Sequence, residues 1–324
     1  MDALHLTLHP LSAFGGPIKG DTLFGQLCWA ARNRWGEGRL VDLLDGYTAG
    51  HPFAVCSDAF PAGYLPRPAL PLHYYATVPG ADRKAVKRRR WLPVAALAEP
   101  VGAWLGHCLG DAEIVRALGT SDARRLIEPH AQPHNSIDRR TGTTGAAFAP
   151  YTQEQHWFAA GLRLQTYLLL DQTRLTIAEA RQLLEDIGQT GYGRDAGIGL
   201  GKFALIDAPT GEVLPAQPAA NACFTLAPCA PHGLGFSPGA SHYEVFTRFG
   251  RHGDQAVQTG RPFKAPLLLA QTGAVLVPPT LPSWPFVGQG LGGDGTLTRA
   301  PGFAATVQQG YAPWIGLHLA EVTR

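Results

Sequence analysis

GYGRDAGIGLGKF, residues 191–203, sets five glycines in thirteen positions, with Arg194 and Lys202 among them. A segment so poor in side chains lets the backbone approach something closely. A tight connection needs one or two glycines at positive φ, so five ask for a further reason. The flanking residues define the setting. TIAEARQLLEDIG (176–188) has Ile177, Ala180, Leu183, Leu184 and Ile187 on one helical face. Thr176 with Glu179 three residues later is the pattern of a capping box. KFALID (202–207) follows as a strand. The order is therefore helix, loop, strand. A phosphate-cradling P-loop needs strand, loop, helix, with Ser or Thr after the lysine, and here Phe203 takes that place. The dinucleotide fingerprint fails on the same order of elements. What remains is an amide-rich ribbon beside a sheet, with Arg194 for phosphate oxygens and Tyr192 as a surface on which a base could stack.

Working outward, GLRLQTYLLLD (161–171) reads as a strand preceding that helix. At the other end of the chain ALHLTLH (3–9) alternates as a half-buried strand, and a glycine-proline turn follows. Leu23, Phe24, Leu27, Cys28 and Ala31 then recur at helical spacing, with Asp21 placed to cap the helix and Gly36 to end it. Strands are expected at 53–57 and 72–78 and helical pieces at 94–108 and 111–127. The first 207 residues thus begin and end strand–helix–strand. This is the connectivity of a ferredoxin-like β-α-β-β-α-β domain with a large insertion at about 80–150. Residues 208–324 form a second, smaller, strand-rich domain, with strands at 221–227, 243–249, 266–277 and 304–318.

Bulk properties narrow the function. With 27 basic and 25 acidic residues the chain is nearly neutral, so any grip on nucleic acid must come from local clusters. The N-terminus lacks a signal-peptide pattern and no apolar stretch is long enough to span a membrane, so a cytoplasmic location is expected. The five cysteines form no C-x-x-C pair, and the histidines no H-E-x-x-H pattern; neither a metal nor a cofactor is expected.

Two further clusters stand out. ADRKAVKRRR (81–90) places six cations in eight residues, including Arg88, Arg89 and Arg90, either as a solvated loop or as an RNA backbone contact. PHNSIDRRTG (133–142) sits in a long polar hairpin or loop, where Asn135, Arg139 and Arg140 are candidate RNA contacts. An enzyme reading makes His134 a general base oriented by Asp138 for cleavage at a 2′-hydroxyl; the structural alternative is a hairpin fixed by Asn and Asp turns. Arg32, Arg34 and Arg39 either complement the helix dipole or face RNA.

Three stretches taken in order, GDTLFGQLCW (20–29), PHNSIDRRTG and the glycine loop, resemble the repeat-associated mysterious protein (RAMP) superfamily of CRISPR effector proteins. FPAGYLPRPALP (60–71) also fits, and FVGQGLGG (286–293) with TVQQGYAPW (306–314) extends the likeness more weakly. Within the superfamily the pattern is similar to the type III-A subunit that holds the 5′ handle of the CRISPR RNA. The resemblance implies an α+β fold of two ferredoxin-like (RRM-like) RAMP domains. It implies a scaffold without catalysis of its own, docked to a large polymerase-like subunit and a neighbouring backbone subunit, and meeting target RNA only indirectly. The RNA-processing endoribonuclease of the same superfamily and the equivalent type III-B subunit are the rival readings. For handle contact it points to Gly191, Tyr192, Gly193, Arg194, Gly197, Gly199, Gly201 and Lys202, with Lys19 and Gly20 from the turn beside the loop.

Overall fold

The computed structural model describes residues 1–77, 80, 82–119, 123–145, 149–206, 214–253, 260–298, 300 and 302–320. The alternating N-terminal segment forms strand β1 (Asp2–Pro10), which buries Leu4, Leu6 and Leu8 on one face. Helix α1 (Gly20–Trp35) follows, buries Leu23, Phe24, Leu27 and Ala31, and ends at Gly36, whose φ of 89° only glycine adopts freely. Burying each such leucine contributes roughly 2 kcal/mol before ordering costs. Strand β2 (Ala54–Cys56) comes next. After the insertion, β3 (Leu164–Leu170), α2 (Ile177–Thr190) and β4 (Phe203–Ile206) complete the unit. The predicted capping box of α2 is present. The Thr176 amide donates to Glu179 at 2.8 Å and the Glu179 amide donates to the Thr176 hydroxyl at 3.2 Å.

The strands lie in the order β2-β3-β1-β4, all antiparallel, with Leu6 opposite Thr166 and Leu8 opposite Leu205. This is the second–third–first–fourth order that a β-α-β-β-α-β path produces when each helix crosses one face. β3 is buried along its whole length. Gln165, Tyr167 and Leu169, on the face away from α1, are as covered as the core, because Tyr167 packs into a cluster with Phe60 and Phe224. This sheet therefore offers no open face at its centre on which bases could stack.

The insertion departs from expectation in its helices. Pro100 breaks the predicted helix at 94–108 into 3-10 turns and one short turn of α-helix (Trp104–His107). The second predicted helix stops at Leu118, where Gly119 turns left-handed at φ 65°. Leu72–Tyr74 is a 3-10 turn rather than a strand, entered through Pro71. The polar stretch is a long hairpin in which Ile127–His134 pairs residue for residue with Tyr151–Phe158.

Beyond residue 214 the described residues contain strands and no helix. A second sheet runs Val275–Leu276, Ala222–Thr225, Val307–Leu317, Phe286–Gly292. The glycine-rich strand Phe286–Gly292 was not legible as a strand, since it lacks the β-branched texture that marks one. The predicted strand at 266–277 is two strands split by a turn, Leu267–Ala270 and Val275–Leu276. The expected domain boundary at 207/208 lies outside the described residues. Phe286 and Tyr311 join the core of the first unit, and Gln309 bridges both ways to the Cys56 backbone at 2.8 Å. No helix among the described residues is long and apolar enough to cross a membrane.

Candidate nucleic-acid interface

The glycine loop divides into a closed limb and an open rim. In the closed limb the Tyr192 amide donates to Gly201 O at 2.9 Å, and the Gly201 amide donates to Ala13 O at 2.8 Å. Leu11 and Ser12 continue this seam, through Lys202 O and the Lys202 amide. A Cβ on Gly201 would lie 2.1 Å from Tyr192 O, and one on Gly191 would lie 2.4 Å from Leu200 O. These two glycines let the loop close on itself, and that is what their backbone approaches.

The rim behaves differently. Cβ atoms on Gly193, Gly197 and Gly199 would meet open space. Gly193 and Asp195 are left-handed, at φ 75° and 66°. Among the described residues, the amides of 193–197 find no acceptor. Successive amides in such a curled backbone form a concavity suited to anions. Arg194 and the exposed Lys202 supply the positive charge, because the helix end that precedes the loop is the carboxyl end. The Arg194 side chain is about half exposed, donates to Glu154 O at 3.0 Å and pairs with Asp195 at 3.2 Å.

That bond to Glu154 ties the rim to the hairpin. The hairpin base in turn pairs with the first glycine turn, since Phe14 and His156 exchange backbone bonds of 2.9 and 2.8 Å. Gly15 sits against Arg194 O with no room for a Cβ. Rim, turn and hairpin thus make one continuous surface, with a cleft of about 320 Å³ bounded by Gly16, Pro17, Pro129, His156 and Phe158. The pairing register puts Trp157, His130, Gln132, His134 and Tyr151 on one face of the hairpin. His134 stacks on Tyr151 at 5.1 Å, and Trp157 and Tyr151 are both exposed. Sequence reading missed these aromatics as candidates, because the five polar residues between Tyr151 and Trp157 show no apolar/polar alternation that would mark a strand. Asn135, Arg139 and Arg140 are exposed at the hairpin tip.

Other expected contacts are corrected. Tyr192 is only 3 % exposed, tilts against Phe14 and accepts a 2.9 Å bond from the Lys19 amide, so it cannot stack on a base. Burial pushes its phenol above the usual range. The Lys19 ammonium is held by Asp58 at 2.7 Å and lies over the Phe246 ring. Gly20 is buried, donates to Asp58 at 2.8 Å and is a glycine because Cys56 O is in the way of a Cβ. Neither faces outward.

Asp21 is not the helix cap. Lys19 occupies that position without a side-chain bond, and buried Asp21 instead receives Arg248 and the Gln308 amide. Burial raises the Asp21 carboxyl, and the Arg248 guanidinium opposes it. Lys264 is bonded to Val307 O and Gln308 nearby, its ammonium pushed down by burial.

The basic run divides too. Arg83–Arg88 is a short helix capped by Asp82. Arg89 donates to the carbonyls of Gly106 and Cys108, and Arg90 makes a two-pronged pair with Asp111. Burial alone would raise Asp111, but the bonds from Arg90 and Trp91 outweigh it and lower the carboxyl. Arg89 and Arg90 therefore fold the insertion. Arg83, Lys84, Lys87 and Arg88 are exposed with no partner among the described residues. At the first helix, Arg34 pairs with Asp186 of α2 at 2.7 Å.

His134 Nε2 meets Gln153 at 3.0 Å, whereas Asp138 takes the Arg140 amide at 2.9 Å. The expected pairing of His134 with Asp138 is not formed. Among the described residues no group of three His, Cys, Asp or Glu could hold a metal.

No protein-family model matches the sequence, and no curated protein does. Solved structures do. A chain of a Csm3-Csm4 subcomplex of the type III-A CRISPR-Cas interference complex aligns at TM-score 0.61 and 13 % identity, covering 97 % of this chain and 99 % of that one. Chains of the Csm1-Csm4 cassette align at 0.53 and 16 % in complex with pppApA, and at 0.55 and 15 % in complex with cA4, each covering 99 % of this chain and 100 % of the other. The fold is thus that of these neighbours. Csm4 is the component the assemblies share, and the chain has a Csm4-like fold over nearly its full length.

Proposed function

We propose that this chain is a non-catalytic RNA-binding subunit of a type III CRISPR effector complex, holding the 5′ handle of the CRISPR RNA and docking the large polymerase-like subunit in the cytoplasm. The observation that carries this reading is the run of amides at 193–197 that find no acceptor among the described residues, with Arg194 within it and Lys202 beside it, continuous with the aromatic face of the hairpin. Amides and cations take phosphates; Trp157, Tyr151 and the hairpin histidines offer stacking faces, each worth about 1–3 kcal/mol per base. The scaffold is read as a first ferredoxin-like unit, with its strands in the order described above, joined to a second, strand-rich unit. Catalysis is left to other subunits in this reading; His134 is paired with Gln153 rather than with Asp138.

The test uses the chain purified with its neighbouring subunits and mixed with repeat-derived RNA. Handle-bearing RNA is expected to bind and to be recovered uncut. Metal-independent cleavage abolished by His134→Ala would replace the scaffold with the processing nuclease.

A further inference from the structure

The insertion carries the positive charge of the chain. Residues 81–126 hold nine basic and five acidic residues, in a protein whose whole formal charge is +2. Three of those acids are occupied by the chain's own donors. Asp82 accepts the Ala85 amide at 2.6 Å, Glu113 accepts the Gly110 amide at 2.7 Å, and Asp111 takes Arg90 and Trp91 at 2.9 and 2.8 Å. Arg83, Lys84, Lys87 and Arg88 are exposed, as are Arg124 and Arg125, and none of them has a side-chain partner among the described residues.

The Arg83–Arg88 helix is arranged against its own electrostatics. At 3.6 residues per turn its four cations fall within an arc of about 140°. Val86, on the other side, packs against the cluster that holds Leu92 and Trp104. Arg83 with Lys87, and Lys84 with Arg88, are like charges one turn apart, a spacing that destabilises a helix. Arg83 and Lys84 also stand in the first turn, where the dipole favours acids, and only the cap, Asp82, is acidic there. The helix is held nonetheless. Arg67 donates to Val86 O at 2.9 Å, and Arg89 and Arg90 clamp the chain directly after it. A fixed support beneath a self-repelling face is a local conflict that a bound anion relieves.

We propose that this face of the insertion binds the phosphate backbone of single-stranded RNA, independently of sequence, at a second site outside the amide rim. Its connections suit that role. Asp111, which holds Arg90, also accepts the Leu126 amide, and Leu126 O takes the Ala159 amide at 2.9 Å. The basic helix is thereby tied to the base of the hairpin, whose second strand supplies the Glu154 carbonyl bound by Arg194. Arg124 and Arg125 directly precede the first hairpin strand. A lipid surface does not fit, because an interfacial helix needs apolar side chains beside its cations and Val86 is turned to the core. A protein partner does not fit either, since the centre of a protein interface is depleted in charge and this face offers no apolar anchor. A second copy of the chain would bring like charges together.

This second site rests on the reading of the chain as an RNA-binding subunit, and the test separates the two. The full chain is titrated over a range of salt with repeat-derived RNA, and with the same RNA extended at its 3′ end by uridines or by adenosines. Arg83→Gln, Lys84→Gln, Lys87→Gln and Arg88→Gln are combined in one variant. Its thermal melting is expected at or above the parent, because two repulsive pairs are removed. Lys84→Gln with Arg88→Gln takes its place if it melts early. Binding of both extended RNAs is expected to weaken about tenfold or more, with the salt dependence shallower by about 0.7 per lost phosphate contact, and binding of the unextended RNA to stay within about twofold. Unchanged affinity and salt dependence for the extended RNAs overturn the second site and leave the rim in place. An equal loss for the unextended RNA overturns it too, as does a loss confined to one of the two extensions. Helix-dependent capture of phosphatidylserine vesicles or of another subunit, with RNA affinity unchanged, overturns it as well. Binding that appears only with the extended RNAs and is lost with the four cations would keep the basic face and discard the handle.

Discussion

The two limbs of the glycine loop share a composition and differ in every contact. Gly191 and Gly201 face the chain itself, each within a bond's reach of a carbonyl that would collide with a side chain. Gly193, Gly197 and Gly199 face space. Glycine enrichment thus has two physical origins here, one steric and internal, the other an exposed backbone left free for a ligand. Tyr192 belongs with the first set and Arg194 with the second, although they are two residues apart.

The largest effect that distinguishes the limbs is on folding. Gly201→Ala, at φ 76° and against Tyr192 O, is expected to cost about 3 kcal/mol, read as a lowered urea midpoint. Gly197→Ala is expected to stay within about 0.5 kcal/mol, and equal costs at both positions would erase the distinction. Next in size is Arg194→Glu on the rim. It is expected to weaken RNA binding about tenfold and to make the salt dependence shallower by about 0.7 per lost phosphate contact, with the midpoint falling far less than for Gly201→Ala. The smallest is Tyr192→Phe, expected to cost about 1 kcal/mol through the lost bond from the Lys19 amide. RNA affinity should not change, and a drop there would return Tyr192 to the interface.

The first unit was legible because its signals are local. Alternation in β1, the apolar stripe and Gly36 of α1, and the Thr176–Glu179 box are each contained within a few residues. The insertion was less so, because Pro100 and Gly119 override an otherwise helical composition. The site was legible as a loop but not by limb. Whether Tyr192 points in or out depends on Lys19, far away in sequence, and Asp21 was read as a cap because its partner Arg248 lies in the other unit. The same blindness hid the roles of Arg89 and Arg90, whose acceptors come from 106–111.

Asp58 accepts from the Lys19 ammonium, the Gly20 amide and the Thr272 hydroxyl. Because Thr272 leaves the ribosome long after the other two, a nascent chain halted before it would hold that carboxylate with its set incomplete, and Asp21 with neither Arg248 nor Gln308. Truncation near residue 210 should therefore yield an aggregating fragment rather than a self-sufficient N-terminal module, and maturation of the early half waits on the last strand to be synthesised.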